Sequence, residues 1–440
     1  MKESWYKGAL HTHSFASDGT GFPEEVVLAY RRKGFDFVAI TDHNAMNCDR
    51  NLWLPVLRPA QGPFQGDLPY VGGCAFEEAV DRYRKNCPGE VDVKHNSFYD
   101  YVRVKTLAEV ARRYDEPGRF LVLGGEEISH WFDDPRGGRR QLHLGAVNLK
   151  RPLFLPERRS IAATLHADRL AVEEQFSRQR EPGLFIFNHP HGYWFDLEPQ
   201  LLIDEPDIRH FELVNSNVDG VGGEASLPNR LPRDNEMFWD MVNAFRADRG
   251  QPLLFAVAAD DAHYYTPDRI DRRCGAGMAW VTVRVAGRFT RRALMDAMDR
   301  GDYYPSCGAE FESVDFDAVS GRLMVRVKAE KGVKYRIRFT VSRKGFDRKF
   351  HVVELARAER SLFRSVSLPG PGIGVTAAEF DDATAAEYRL GPEDLYVRAT
   401  VISDRPARCR SNRHPEFESA WTQPFRRRAE IAGKRKGRIG

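Results

Sequence analysis

Seven short apolar runs punctuate the first 260 residues: YKGALH, FDFVAITDH, RFLVLGGEE, LHLGAVNL, LFIFNHPH, IRHFELVN and LLFAVAADDAH. Each has a core rich in Val, Ile, Leu and Phe rather than a strict apolar–polar alternation. That pattern predicts strands buried on both faces, as in parallel sheets. Helix-like segments lie between them. Pro23–Lys33 opens with proline in a first-turn position, and Lys105–Tyr114 and Ile161–Arg180 space their apolar residues near the helical period. Met237–Arg249 stops before Gly250, a candidate C-cap. Alternating strands and helices predict a βαβ series, and seven strands predict a TIM-like barrel rather than a small open sheet. Residues 44–104 break the rhythm. Rich in Pro, Gly and Asn, they read as an elaborated loop near the mouth, of the kind that forms lids or binds substrate.

Beyond residue 305 the grammar changes. FESVDFDAV, LMVRVKAE, KYRIRFTVS and LYVRATVIS alternate apolar and polar positions, the mark of half-exposed antiparallel strands. The expected layout is an α/β barrel domain over 1–305, with Arg291–Arg300 as its last helix. A small antiparallel β-sandwich-like domain follows over 306–425. PGPGIG at 369–374 reads as a turn. The tail 426–440 is basic, lacks apolar periodicity and is expected to be solvated and disordered.

Composition narrows the class. Hydrophobic residues are 42% and charged residues 29%, a globular balance, and a net charge of only +3 demands neither nucleic acid nor an anionic membrane as partner. No apolar run is long enough to span a bilayer, and MKESWYKG lacks the apolar core of a signal peptide. The six cysteines are scattered without a C-x-x-C pair, against a disulfide framework or a zinc–cysteine site. A cytoplasmic protein is expected, with a small-molecule substrate and an oligomeric state left open.

The polar residues fall at the strand ends. GAL is followed by His11 and His13; FVAI by Thr41, Asp42 and His43; FLVLGG by Glu126 and Glu127; LFIF by Asn188, His189 and His191; LLFAVAA by Asp260, Asp261 and His263. In a parallel barrel these ends converge on one mouth. In extended chain, residues two apart share a side, so His11 with His13, and Asp261 with His263, can each aim two groups at one point. Singly, each has an ordinary explanation as a cap, a turn or a strand-end hydrogen bond. Five together would demand costly desolvation unless cations joined them. Imidazole plus carboxylate, without thiolate, suits Zn, Mn or Fe in a hydrolytic site. Seven or more donors suggest two or three divalent ions, and such ions can share a hydroxide as nucleophile. A carboxylate can bridge ions where an imidazole cannot, so Glu126 or Glu127 is expected at the centre. No nucleophile elbow, P-loop or dinucleotide fingerprint competes.

In order, H-T-H-S-F-A-S-D-G, T-D-H-N, G-E-E-I-S, a mid-strand His, N-H-P and D-A-H resemble the motifs of the PHP (polymerase and histidinol phosphatase) superfamily, across residues 5–265. The resemblance implies a distorted (βα)7 barrel with up to three metals at its mouth. Carried over by motif, one metal would take His11, His13, Glu127 and Asp261. A second would share Glu127 and add His143 and His189, and a third would take Asp18, His43 and His263. Some members have His where this chain has Asp18, which implies a weaker third site or a different metal preference. RALMDAMDRGDYYPSCG, YVRATV and AWTQPF are similar to the C-terminal part of the carbaryl-hydrolase-like subgroup, which includes ester and carbamate hydrolases.

The expected function is therefore metal-dependent hydrolysis of a small phosphoester. An ester, amide or carbamate hydrolase with the same site is the alternative, and a non-catalytic metal-binding interaction module is the third reading. Asp261 at the reacting centre, with His191 or Asp260 as proton donor, makes up the expected catalytic set. Tyr193, Asn44 and Asn215 have weaker claims. His95, His130, His166, His210, His351 and His414 lack strand-end partners and are assigned no role. Cys307 is read as a buried small residue rather than a nucleophile.

Overall fold

The computed structural model describes residues 3–48, 52–57, 75–133, 139–190, 197–217, 235–265, 275–354, 365–408 and 415–428. It is a mixed α/β structure around one thirteen-stranded sheet. In chain order the strands of this sheet are β1 (Glu3–Ala9), β2 (Phe37–Ile40), β3 (Leu121–Asp133), β4 (Arg139–Val147), β5 (Leu184–Phe187), β6 (His210–Asn215), β7 (Phe255–Ala259) and β8 (Trp280–Ala286). They continue as β9 (Tyr303–Ser306), β10 (Tyr335–Arg343), β11 (Val375–Phe380), β12 (Asp394–Pro406) and β13 (Phe417–Trp421). The helices are α1 (Pro23–Arg32), α2 (Glu77–Asn86), α3 (Leu107–Tyr114), α4 (Ile161–Gln179), α5 (Gln200–Asp204), α6 (Asn235–Asp248) and α7 (Arg291–Asp299). In space the strands run β7-β6-β5-β4-β3-β2-β1-β8-β9-β13-β12-β10-β11.

The strands of the first half are buried on both faces, as their continuous apolar runs require. In β2, Phe37 and Ala39 join a core with Leu121, Leu123 and Val257, while Val38 and Ile40 pack with Val26, Val27 and Tyr30 of α1. The helices begin where local chemistry starts them. Glu25 reaches back to the Phe22 N–H at 3.1 Å, and Thr106 and Glu109 form a reciprocal capping box on α3. Gly250, at φ 69°, adopts the left-handed turn that follows α6.

β1, β2 and β3 pair in parallel, as do β5, β6 and β7. The remaining strand corrects the all-parallel expectation: β4 is antiparallel to both β3 and β5. Only residues 134–138 separate β3 from β4, too few for a parallel crossover, so the two must form a hairpin. Just past the strand ends, a parallel bridge joins Thr12 to Ala262 and so links the chain after β1 to the chain after β7.

The described part of residues 44–104 holds more regular structure than an elaborated loop. It contains α2 and a four-stranded sheet of Ala75–Phe76, Trp53–Leu57, Asp100–Arg103 and Val93–His95. These strands are too short to register as periodic runs. Together with α2 they pack Leu54, Val102 and Tyr83 against Phe15 and Phe22, next to the start of α1. Arg82 and Asn86 both bond Glu25, at 3.0 and 2.9 Å.

The second half is antiparallel, as its alternation predicts. The main sheet passes into it without a break, because β9 pairs with both β8 and β13. Buried Arg398 on β12 donates to Asp240 of α6 at 2.9 and 2.7 Å, and its Nη1 lies 2.8 Å from Glu236. No described helix is long and apolar enough to cross a membrane. Residues 429–440 of the basic tail lie outside the described residues.

Candidate metal centre

The chain leaves β1 extended through His11, Thr12 and His13, and the two-residue period holds there. Thr12 turns away and donates to the Ala39 carbonyl at 2.8 Å, while the Nε2 atoms of His11 and His13 meet 3.1 Å apart. A tight turn follows, with Ser17 N–H and Gly19 N–H both donating to the Ser14 carbonyl. Asp42 braces this turn, accepting from Ser14 N, Ser14 Oγ and Ser17 Oγ at 2.7 Å each. The turn carries Asp18 back over the site, where its Oδ1 is 3.2 Å from His263 Nε2 and 3.6 Å from His13 Nδ1. Its Oδ2 is 3.7 Å from His43 Nε2.

Glu127 occupies the centre. It is fully buried, and five imidazoles surround its carboxylate. Oε1 is 3.2 Å from His11, 3.2 Å from His143 and 3.0 Å from His189, while Oε2 is 3.4 Å from His13 and 2.9 Å from His43. Asp261 places Oδ1 at 3.0 Å from His13 and 3.4 Å from His11. It does so with φ at +49°, a left-handed backbone that non-glycine residues adopt at a cost. The chain is therefore not extended here. Asp261 turns to the His11–His13 group, while Nε2 of His263 turns to Asp18.

Four compact donor groups result: His11, His13, Glu127 and Asp261; His43, Glu127 and His143; His13, Asp18, His43 and His263; and His11, His189 and Glu212. The first coincides with a ligand set expected from sequence. The third contains another, with His13 added. Glu127 is shared by the first two; the expected set of Glu127, His143 and His189 is divided, with His143 grouped beside His43 and His189 beside His11 and Glu212.

The electrostatics call for cations. Burial favours neutral His11, yet Glu127, Asp261 and Glu212 overcome it and raise the imidazole well above its usual range. Burial likewise favours protonated Glu127, yet His11, His143 and His43 hold it well below the usual carboxylate range. Burial pushes His143 down to about 4, against the pull of the nearby Glu127 carboxylate. Glu127 Oε2 and Asp261 Oδ1 are buried without a hydrogen-bond donor in proper geometry, although imidazole nitrogens stand 2.9–3.5 Å away. Buried carboxylate oxygens this close to imidazole nitrogens call for positive charge between them, from a proton or a metal ion.

Other expectations change. Asp260, expected as a candidate proton donor, is engaged elsewhere. Its carboxylate faces away and accepts from Gly277, Met278 and Ala279 N–H groups at 2.6–2.7 Å and from Tyr30 Oη at 2.7 Å. Asn44 spends both ends of its amide on the Ser129 backbone. Asn215 donates to Glu212 at 2.9 Å and reaches Asp261 at 3.3 Å, so it holds carboxylates rather than facing open space. Glu126 lies on the opposite face of β3, bonded to Leu153 N–H, and burial pushes it up to about 7. His191 and Tyr193 lie outside the described residues, as does His414. His130 pairs with Asp168 at 2.6 Å and His210 with the Met298 carbonyl at 3.2 Å, away from the cluster.

Sequence reasoning missed Glu212, 2.7 Å from His11 Nδ1, and Ser129, 2.7 Å from His43 Nδ1, and it named Asn188, which donates to Glu127 at 2.9 Å, only as a strand-end residue without a role. The available signal was a lone acidic residue inside the apolar run HFELVN.

No protein-family profile and no curated protein matches the chain. Among solved structures, it is similar to a two-domain protein from Bacteroides vulgatus described as containing a predicted PHP-like metal-dependent phosphoesterase. That alignment has 13% identity, covers 96% of both chains and has a TM-score of 0.35. An amidohydrolase from Chromobacterium violaceum aligns at 16% identity over 58% of this chain and 87% of its own, with a TM-score of 0.25. The geometry of the cluster, not these alignments, carries the functional reading.

Proposed function

We propose that this chain is a metal-dependent hydrolase of the PHP kind, acting on a small phosphoester. Its fold is read as a distorted (βα)7 barrel over 1–305 followed by a β-rich domain over 306–425. The Thr12–Ala262 bridge supports closure of the seven-strand series. The observation that carries the function is the convergence of His11, His13, His43, His143, His189 and His263 with Asp18, Glu127, Glu212 and Asp261 into four groups linked by shared His11, His13, His43 and Glu127.

These residues fit divalent Zn, Mn or Fe: the donors are imidazole and carboxylate, and two buried carboxylate oxygens lack donors. His11, His13, Glu127 and Asp261 would hold one ion; Glu127, His143 and His189 a second; Asp18, His43 and His263 a third. Bound there, such ions supply a water acidic enough to attack near neutral pH and neutralise charge on the reacting group. The protein's own residues do the rest. Glu127 fixes the spacing of the first two groups because one carboxylate reaches both. Ser129 and Asn188 fix the orientation of His43 and Glu127. Burial of His11, His13, Glu127, His143, His189 and Asp261 keeps bulk water from competing for them. With three divalent ions bound, their six positive charges would outweigh the four carboxylates Asp18, Glu127, Glu212 and Asp261, and a net positive site would favour an anionic phosphoester over a neutral ester.

One observation favours ester, amide or carbamate hydrolysis instead: among the described residues, the ion pairs of the cluster run only between its own histidines and carboxylates, with no Arg or Lys of the kind phosphate oxygens usually find. Elemental analysis joined to a panel of phosphomonoesters, phosphodiesters, carboxylic esters and carbamates separates the readings. Asp261→Asn should lose metal and turnover together. Full hydrolysis by that variant across several substrates would refute the assignment, and no turnover by metal-loaded protein would favour a non-catalytic module.

A further inference from the structure

We infer that Glu212 is a positioning residue that ties the ligand histidines of two different metal groups to one carboxylate, an inference that rests on the metal reading above. Glu212 Oε1 lies 2.7 Å from His11 Nδ1, while His11 Nε2 faces His13, Glu127 and Asp261. A carboxylate at Nδ1 keeps the ring proton there and leaves Nε2 with a bare, more basic lone pair directed at the ion. The other oxygen, Oε2, accepts from the His189 backbone N–H at 2.9 Å and from Asn215 Nδ2 at 2.9 Å. The same Asn215 amide is 3.3 Å from Asp261 Oδ2. Glu212 thus contacts His11, assigned above to the first ion, and the backbone of His189, assigned to the second, and it reaches Asp261 through Asn215.

The local backbone is shaped for this. In a regular strand, residues 212 and 215 would point to opposite faces. The pairing of β6 with β7 slips between Glu212 and Val214, a bulge that returns Asn215 to the face of Glu212. Bulges re-aim side chains in this way beside functional sites, and here the bulge lets an amide brace a carboxylate that is only 1% exposed.

Direct ligation by Glu212 is the rival, since His11, His189 and Glu212 also form a compact group. Distance decides against it. Two donors on one tetrahedral ion at about 2.0–2.1 Å are held roughly 3.3 Å apart, whereas Glu212 Oε1 and His11 Nδ1 are at hydrogen-bond separation, 2.7 Å.

The test uses the full chain, stripped with a chelator and titrated with Co²⁺, comparing wild type, Glu212→Gln and Glu212→Ala. Glutamine keeps the volume but offers one acceptor where two are used. The expected result is a 10–100-fold loss of affinity at two sites, with changed visible absorption of the bound cobalt, while one site per chain keeps its affinity. Wild-type affinity and spectrum in Glu212→Gln would overturn the inference, and so would a loss confined to a single site. Loss of one oxygen neighbour from the cobalt shell by X-ray absorption would establish Glu212 as a ligand and overturn it too. If Glu212→Ala does not fold, the glutamine variant alone decides. Absence of any Co²⁺ binding by wild type would instead refute the metal reading, and the inference with it.

Discussion

In Gly19→Ala a single methyl group is added to the turn that delivers Asp18. The new Cβ would lie 2.3 Å from the His13 carbonyl oxygen, 2.4 Å from His13 C and 2.6 Å from Ser14 N. All three are backbone atoms, so no side chain can swing aside. Ordinary contact begins at 3.4 Å, and the turn must open by the difference. A misplacement of about 1 Å typically costs a reacting centre on the order of 100-fold in rate. It also far exceeds the roughly 0.2 Å tolerance of a metal–ligand distance. Asp18, the adjacent residue, should lose its place near His43 and His263, and that group should lose its ion first. Metal per chain by elemental analysis, kcat/KM on the best substrate of the panel, and a thermal melt to show that the variant is folded make up the assay. The expected outcome is a folded protein with one ion fewer and kcat/KM down about 100-fold. A full metal complement with kcat/KM within about twofold of wild type would show that the turn does not position Asp18 for function, and would sink the reasoning.

Two further outcomes follow from buried groups outside the cluster. Asp260→Ala leaves three buried N–H groups and the Tyr30 hydroxyl without their acceptor, at about 1–3 kcal/mol each. The midpoint of thermal unfolding should fall sharply, with the pH–rate profile unchanged where the protein remains folded; loss of one limb of that profile at wild-type stability would restore Asp260 as a proton donor. His210 is buried and pushed down from 6.5 to about 4 by that burial. Between those values the unfolded chain binds a proton that the folded one refuses, so the contribution is full above pH 6.5 and is lost as pH falls. The whole effect is about 3 kcal/mol, of which about 2 kcal/mol is gone by pH 5. His210→Gln should therefore narrow the stability gap between pH 7.5 and pH 5 in urea unfolding by about that amount; parallel pH curves for the two proteins would contradict it.

Where the expectations failed, the failures share a cause. The apolar runs identified the strands, but β4 was assigned the wrong direction. A five-residue connection forbids a crossover, and that length was readable only once the hairpin partner was known. The segment 44–104 looked like a loop because its strands are two to five residues long, below the length at which alternation shows. Asp260 and Asp261 are neighbours of one chemical type. The left-handed backbone at Asp261 sends one to the cluster and leaves the other capping N–H groups of residues 277–279.

The sequence by itself determined the chemistry on offer. A donor set of imidazole and carboxylate without thiolate, placed at successive strand ends, is a property of residue identity and period. His11 with His13 was legible on that basis, because extended chain obeys a local period; the central carboxylate was narrowed by the residues only to Glu126 or Glu127. Tertiary structure alone decided which donors meet. Asp18 reaches His263 only because a turn braced by Asp42 folds back, and Glu212 with Asn215 shares a face only because of a bulge. Such groupings depend on chain reversals and register slips tens to hundreds of residues apart, and a local period carries no information about them.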